Sequence, residues 1–148
     1  MSDITSQQLV VFSLGTEEYA LPIGSVHEII RYTEPRTVAS DAEWIRGVIG
    51  LRGKIIPIFD LAARMALDNV GSEPGKIVIV ESGTGQVGVM VDDVEEVLTV
   101  APEQLEDVPS ATSDAIEAIA KIDDRLVVLL NTSGLFTREV AEELAAAA

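Results

Sequence analysis

The chain reads as a mainly β protein of the small-barrel or sandwich class, and three observations carry that reading. Its apolar runs are short and closely spaced, they are rich in Val and Ile, and each is bounded by a Gly, Asp or Pro turn. No interval between them holds the long helix that a βαβ crossover requires.

The elements follow in order. Residues 9–14 and 18–23 flank Gly15-Thr16-Glu17 and predict a hairpin. Ile23, Val26, Ile29 and Ile30 then fall at helical spacing behind Gly24-Ser25, which predicts one or two helical turns. Residues 32–38, interrupted by Pro35, read as an irregular or edge strand. Residues 41–46 predict a short helical turn ended by Gly47. Strands at 48–49 and 54–59 surround a bend marked by Gly50 and Gly53, and residues 61–67 predict a short helix. The stretch 68–76 (DNVGSEPGK) is the most loop-like of the chain and divides it into two halves.

Beyond that division, residues 77–80 and 86–91 predict a second hairpin around Ser82-Gly83-Thr84-Gly85. Val94, Val97 and Leu98 continue the core pattern, and residues 102–112 form a loop with two prolines. Residues 119–122 and 125–130 make a third hairpin across Asp123-Asp124. Residues 134–148 predict a closing helix with Leu135, Phe136, Val140 and Leu144 on one side. Each half thus holds four or five short strands, a repeat of architecture without self-similarity in sequence.

Composition narrows the function. At 148 residues and 47% apolar content the chain can bury a core of its own. With no cysteine it has no thiolate nucleophile, disulfide or Cys-based metal site. It opens with neither a basic end nor an apolar stretch, and its densest apolar run, 126–130, is too short to span a bilayer, so a soluble cytoplasmic protein is expected. A net charge of −15 argues against nucleic acid and anionic lipid, which bind clustered Lys and Arg. The charge is uneven. Residues 31–64 carry Arg31, Arg36, Arg46, Arg52, Lys54 and Arg64 against four acids, while residues 92–107 carry seven acids and no base, the pattern of a solvated edge.

Three arrangements come close to chemistry and fall short. Gly83-Thr84-Gly85-Gln86-Val87-Gly88 matches G-x-G-x-x-G after a strand, but β-rich residues follow it where a dinucleotide site needs a helix N-terminus. Residues 71–76 lack the spacing and the Ser or Thr of a phosphate loop. His27 is the only imidazole, and Glu28 beside it points the wrong way to orient a base on a helical turn. No catalytic residue, metal site or cofactor is expected. A small-ligand or nucleotide-binding protein using the Gly83 to Gly88 turn remains the rival of a different class.

A surface for partners is the better reading. Residues 47–61 set Gly47, Gly50 and Gly53 around Arg52 between two apolar strands. Glycines at that density allow a sharp bend and close approach of another chain, and Arg52 would project from it with a planar five-donor fork. Pairing of Arg52 with a carboxylate of the chain itself, such as Glu28 or Asp60, would brace the same bend.

In order along the chain, FSLGTEEYALPI from Phe12, VHEII from Val26, GVIGLRGKIIPIFDL from Gly47, VGVMVDDVEEVL from Val87 and AKIDDRLVVLL from Ala120 resemble the CheW-type chemotaxis coupling family. The resemblance covers residues 8–136 as a single CheW-like domain whose halves divide near 68–76, with 137–148 as a C-terminal helix or tail. It implies two small five-stranded β-barrels sharing a hydrophobic seam, and no enzymatic activity. It also implies an adaptor that joins the cytoplasmic tip of methyl-accepting chemoreceptors to the regulatory domain of the CheA histidine kinase, in a cytoplasmic protein recruited to membrane receptor arrays. The family's receptor-binding groove, carried over by position, would include Val26, Ile29, Gly47, Arg52, Ile77, Val78 and Gly88, and Glu28 and Arg52 match its characteristic charged positions. A paralogous adaptor of a pilus or biofilm pathway is the alternative. Gly50 departs from the family, which usually has Asn there, and Asn131-Thr132-Ser133-Gly134 replaces a more usual Asp-Leu start to the last helix. The chain is also too short for an added receiver domain, so phosphorylation is not expected.

Overall fold

The computed structural model describes residues 6–37, 44–64, 75–81, 85–108 and 115–135. Within them the strands are β1 (Gln7–Leu14), β2 (Glu17–Pro22), β3 (Val26–Arg31), β4 (Ile45–Leu51), β5 (Lys54–Asp60), β6 (Lys76–Glu81), β7 (Gln86–Val91), β8 (Asp93–Val100), β9 (Leu105–Asp107), β10 (Ile116–Ile122) and β11 (Arg125–Leu130). Two single-turn helices, α1 (Leu61–Arg64) and α2 (Thr132–Leu135), complete the order. The protein is mainly β, as its sequence predicts.

The strands form two sheets. Sheet A runs β8-β1-β2-β11-β10-β9 and sheet B runs β3-β6-β7-β5-β4. Each is built around two hairpins joined through one parallel pair, β2 with β11 in sheet A and β5 with β7 in sheet B, with β8 and β9 added at the edges of sheet A and β3 at one edge of sheet B. The halves are not consecutive. The first hairpin pairs with the last strands of the chain, and the whole of sheet B lies between them in sequence. Of the division at 68–76, residues 68–74 lie outside the described residues; β5 and β7, on either side of it, are neighbours in one sheet.

Both sheets curl without closing into a barrel. The edges of sheet A, β8 and β9, are separated in sequence only by residues 101–104, where a one-turn 3-10 helix spans Pro102–Gln104. In sheet B the edges are β3 and β4, four strand spacings or about 19 Å apart if the sheet were flat. Yet Arg36, just past β3, donates its N–H to the Val48 carbonyl of β4 at 2.8 Å and accepts the Val48 N–H at 2.9 Å. One bridge, in place of a ladder, spans that gap. The two five-stranded barrels implied by the family are therefore a six-stranded and a five-stranded sheet, each curled and each with an open seam.

Apolar side chains fill three layers. Leu9, Val11, Ala20, Val127 and Leu129 sit inside sheet A, and Ile49, Ile56, Ile58, Ile77 and Ile79 sit inside sheet B. Between the sheets lies a shared seam of Phe12, Leu14, Tyr19 and Leu21 from sheet A against Phe59, Val78, Val80, Val87 and Val89 from sheet B. Because both faces of β1, β6 and β7 meet a core, these strands read as continuous apolar runs rather than as alternation. The chain crosses from sheet B to sheet A at Asp92, whose N–H donates to the Ser13 carbonyl and whose carboxylate accepts the Gly15 N–H of the β1–β2 turn at 2.6 Å.

Several local expectations change. Residues 23–30 form a 3-10 turn (Ile23–Ser25) and then strand β3, whose burial alternates residue by residue. Val26, Ile29 and Ile30 are β-branched, and pairing with β6 overrides their accidental helical spacing. Within the expected helical turn at 41–46, residues 41–43 lie outside the described residues, and Ile45 and Arg46 are already in β4. The closing helix begins at Thr132 rather than Gly134; residues 136–148 lie outside the described residues, as do 65–67 of the helix expected at 61–67 and 109–112 of the loop expected at 102–112.

Candidate functional site

Arg52 occupies the first corner of a two-residue turn between β4 and β5. Its φ is 52° and that of Gly53 is 78°, the signature of a type I′ hairpin turn. Arginine rarely adopts this left-handed region, so the position is held by its surroundings. The holding group is Glu28 of β3: Arg52 Nε donates to Oε1 at 3.2 Å and a terminal guanidinium nitrogen donates to Oε2 at 2.9 Å. This fork-to-fork pair joins the two edges of sheet B, which carry no continuous ladder between them. The guanidinium beside Glu28 holds its carboxyl below the usual carboxylate range, chiefly through the direct hydrogen bond. The Arg52 side chain remains 72% exposed, so the pair braces the turn and still presents its donors to solvent. The brace is independent of residue 50, where Gly50 replaces the usual Asn. Asp60 has a different partner, Arg46 at 3.2 Å, and its other oxygen accepts the Ala63 N–H to cap α1.

The remaining candidates separate by face. Val26 and Ile29 lie opposite Val80 and Val78, two residues of the shared seam, and so mark its margin on β3. Val26 is half-buried against the seam, and Ile29 is 41% exposed. Gly47, Ile77, Val78 and Gly88 are not available at a surface. Ile77 and Val78 are fully buried, one inside sheet B and one in the seam. A Cβ at Gly88 would stand 2.7 Å from Ile58 Cδ1 and 2.8 Å from Ile77 Cγ2, so glycine here makes room for the interior of sheet B. A Cβ at Gly47 (φ 144°) would stand 2.0 Å from the Arg36 carbonyl oxygen. Gly47 thus permits close backbone approach, but the approaching chain is the protein's own.

The exposure of two apolar residues was hidden in the sequence. Val97 of β8 lies opposite Val10, in the row that continues through Leu21 into the seam, and is 51% exposed. Ile23, at the end of β2, is also exposed. The charge run DDVEEVLTV masks Val97, since its acids mark a solvated strand edge while Val97 faces the seam margin. Arg125 was missed as well: it begins β11, donates two hydrogen bonds of 3.0 Å to Glu18 of β2, and lies 2.8 Å from Glu96 of β8. A count of charges cannot show that these three meet.

The chemistry of the surface is that of contact. Among the described residues no group of three or more His, Cys, Asp or Glu side chains is placed to hold a metal ion. His27 is exposed on β3, at the register shift between Val26 and Glu28, with Nδ1 4.0 Å from a Glu81 carboxylate oxygen. Of the Gly83 to Gly88 turn, residues 83 and 84 lie outside the described residues, and Gln86–Val91 is strand β7 paired with β6, so no helix N-terminus follows the glycines. No helix among the described residues is long and apolar enough to cross a membrane.

Comparison with known proteins gives a consistent picture. The family model for the CheW-like domain matches residues 8–140. The chemotaxis protein CheW of Klebsiella aerogenes is 31% identical over 142 residues, covering 93% of this chain and 86% of that one. A probable chemotaxis protein CheW of Rhizobium etli is 32% identical over 141 residues, covering 92% and 91%. The crystal structure of the scaffolding protein TtCheW from Thermoanaerobacter tengcongensis superimposes with a TM-score of 0.83 at 34% identity, covering 91% of this chain and 95% of that one. Protein PilI of Pseudomonas aeruginosa matches a shorter stretch, at 29% identity over 56% of this chain.

Proposed function

The chain belongs to the CheW-like domain family, and from that premise we propose that it is a non-enzymatic chemotaxis adaptor that couples methyl-accepting chemoreceptors to the regulatory domain of the CheA histidine kinase. The observation that carries the reading is the margin of the seam between the sheets, where Ile29 and Val97 remain exposed in otherwise buried apolar rows. Val26 and Ile29 offer an apolar strip of the kind that accepts the stripe of an amphipathic helix, and the receptor tip is a helical hairpin. Glu28, next in the chain, fixes Arg52 as a charged neighbour that would orient the incoming helix. In this reading Gly47, Ile77, Val78 and Gly88 act from beneath: they set the curvature of sheet B and touch no partner. A protein with this role works at the cytoplasmic side of the membrane, recruited by its receptors rather than inserted.

The test is a reconstitution of receptor-containing membranes with the kinase and this chain. Arg52→Glu and Ile29→Asp are expected to leave the fold intact while lowering the chain's co-sedimentation with receptors and its support of kinase activity by at least about tenfold. Full co-sedimentation and kinase activation by both variants would overturn the assignment of this surface. The shorter match to PilI favours a pilus pathway as the second reading; receptors and kinase of a flagellar pathway would then fail to capture the unaltered chain.

A further inference from the structure

Arg31 and Lys76 stand directly opposite one another where β3 pairs with β6. The Tyr32 N–H donates to the Gly75 carbonyl at 3.0 Å, and a bond placed there makes the pair before it the closer, non-hydrogen-bonded kind, whose Cα atoms approach to about 4.5 Å. Side chains opposed in this way share a face, and two cations so placed repel one another. The face is the one turned to the seam. Lys76 alternates with Val78 and Val80 and lies opposite Val91, all three in the seam, and Arg31 comes two residues after Ile29.

Among the described residues no carboxylate neutralises the pair. Acids are not scarce, at 25 against 10 bases, and Arg46, Arg52, Lys121 and Arg125 each hold one at 3.2 Å or less. Asp92 and Asp93, which follow Val91, turn their carboxylates to backbone instead, accepting the Gly15 N–H at 2.6 Å and the Val94 N–H at 2.9 Å. Arg31 is exposed and Lys76 half-buried. Repulsion this close destabilises the ladder and braces no part of it. It also stands at one end of the apolar strip of Val26 and Ile29. Two residues of a strand span about 6.6 Å, and four residues of a helix rise about 6 Å. A helix laid along β3 with an apolar side chain on Ile29 therefore carries the residue one turn away over the two cations.

We propose that Arg31 and Lys76 together bind a carboxylate of the receptor helix that occupies the seam margin, four residues from the apolar side chain that meets Ile29. The inference rests on the seam margin as the receptor surface and adds what that surface selects. An apolar strip accepts the stripe of many helices and lets each slide by a turn. The cation pair admits those with an acid one turn along, and it fixes their position on the strip.

The experiment is co-sedimentation of the full chain with receptor-containing membranes in the presence of the kinase. Arg31→Gln with Lys76→Gln should lower the chain's affinity at least about tenfold and flatten its dependence on salt. The same double variant should melt no lower than the unaltered chain, since it removes a repulsion and no bond of the fold. Acidic residues of the receptor tip are then changed singly to Lys. One such change should weaken capture of the unaltered chain and restore capture of Arg31→Glu with Lys76→Glu. A lowered Tm in the Gln variant, or the absence of any restoring change, would overturn the proposal. So would capture of the unaltered chain, but not of the Gln variant, by receptor-free phosphatidylglycerol vesicles, which would assign the pair to lipid headgroups. Full affinity of the Gln variant beside loss of capture in Ile29→Asp would strike the cation pair and leave the receptor surface standing. Full capture of Ile29→Asp would strike both.

Discussion

Two arginines, one in each sheet, each bind a carboxylate on a strand that is not their neighbour, and they serve different ends. Arg125 opens β11 and reaches Glu96 on β8, three strand spacings or about 14 Å away were sheet A flat. Its carboxylates lie on the concave face: Glu18 shares a row with Ala20, Glu96 with Leu98 and Val100, and Arg125 itself with Val127 and Leu129. It therefore stops the open end of the sheet A interior and is 36% exposed. Both carboxylates hold its guanidinium charge firmly, Glu18 through the stronger hydrogen bonds. Arg52 makes the same fork with one carboxylate, but from the tip of a strained turn and at twice the exposure. The difference teaches that an arginine–glutamate pair is not one kind of object. Where the fork crosses the concave face of a sheet it maintains shape, and where it caps an edge it presents chemistry.

The largest expected effect comes from a residue that bears no charge. If the open seam of sheet B is held by the Arg36–Val48 bridge and only trimmed by Arg52, then Gly47→Val, whose Cβ would collide with the Arg36 carbonyl, should cost about 2–4 kcal/mol in urea unfolding. A loss below about 1 kcal/mol would mean that the seam yields and that Arg52 does more of the holding. Next, Arg125→Met should lower Tm by about 2–4 °C, from the loss of charge-assisted bonds at a partly exposed site. Arg52→Met should lower it by less than about 1 °C, as expected of a surface pair. Equal losses would erase the contrast between the two arginines.

The smallest effect is a matter of sign. The carboxyl of Glu28 titrates below its ordinary value of 4.5 because Arg52 stabilises the charged form. The contribution of the pair is thus complete above that value and fades as pH falls through the lowered one. An NMR titration of the Glu28 carboxyl should show the depressed midpoint, and Arg52→Met should return it to the ordinary range. A midpoint unmoved by that substitution would place the cause elsewhere.

Much of this fold is legible because hairpins declare themselves locally. The turn at Gly15, the pairing of β6 with β7 and the crossing at Asp123-Asp124 are each written within a dozen residues. The pairing of Arg52 with Glu28 was legible as one of two options, since the bend needed a brace and few carboxylates could reach it. Sheet membership was hidden, because β1 with β8 and β2 with β11 are pairings across more than half of the chain, and periodicity carries no address. Strand β3 was misread for a different reason. The β-branched residues at 26, 29 and 30 fall at helical spacing and break the alternation of a regular strand, and only pairing with β6, through a register shift between Val26 and Glu28, makes them extended. Ile77, Val78 and Gly88, named for the groove, are all buried, because an apolar run in a single sequence does not show which of its faces is covered.

The insertion of sheet B into sheet A also has a consequence in time. Residues 26–91 hold all five strands of sheet B and need nothing outside them for their ladders, whereas sheet A needs both ends of the chain. During synthesis the central segment can pair while β1 and β2 wait with apolar faces uncovered, until β8 to β11 emerge to take them. Such distant pairing makes folding slow relative to local hairpins. The acids crowded along β8 then do a second service: once β8 has taken its place beside β1 it is an edge of sheet A, and its charges keep that edge from pairing with other chains.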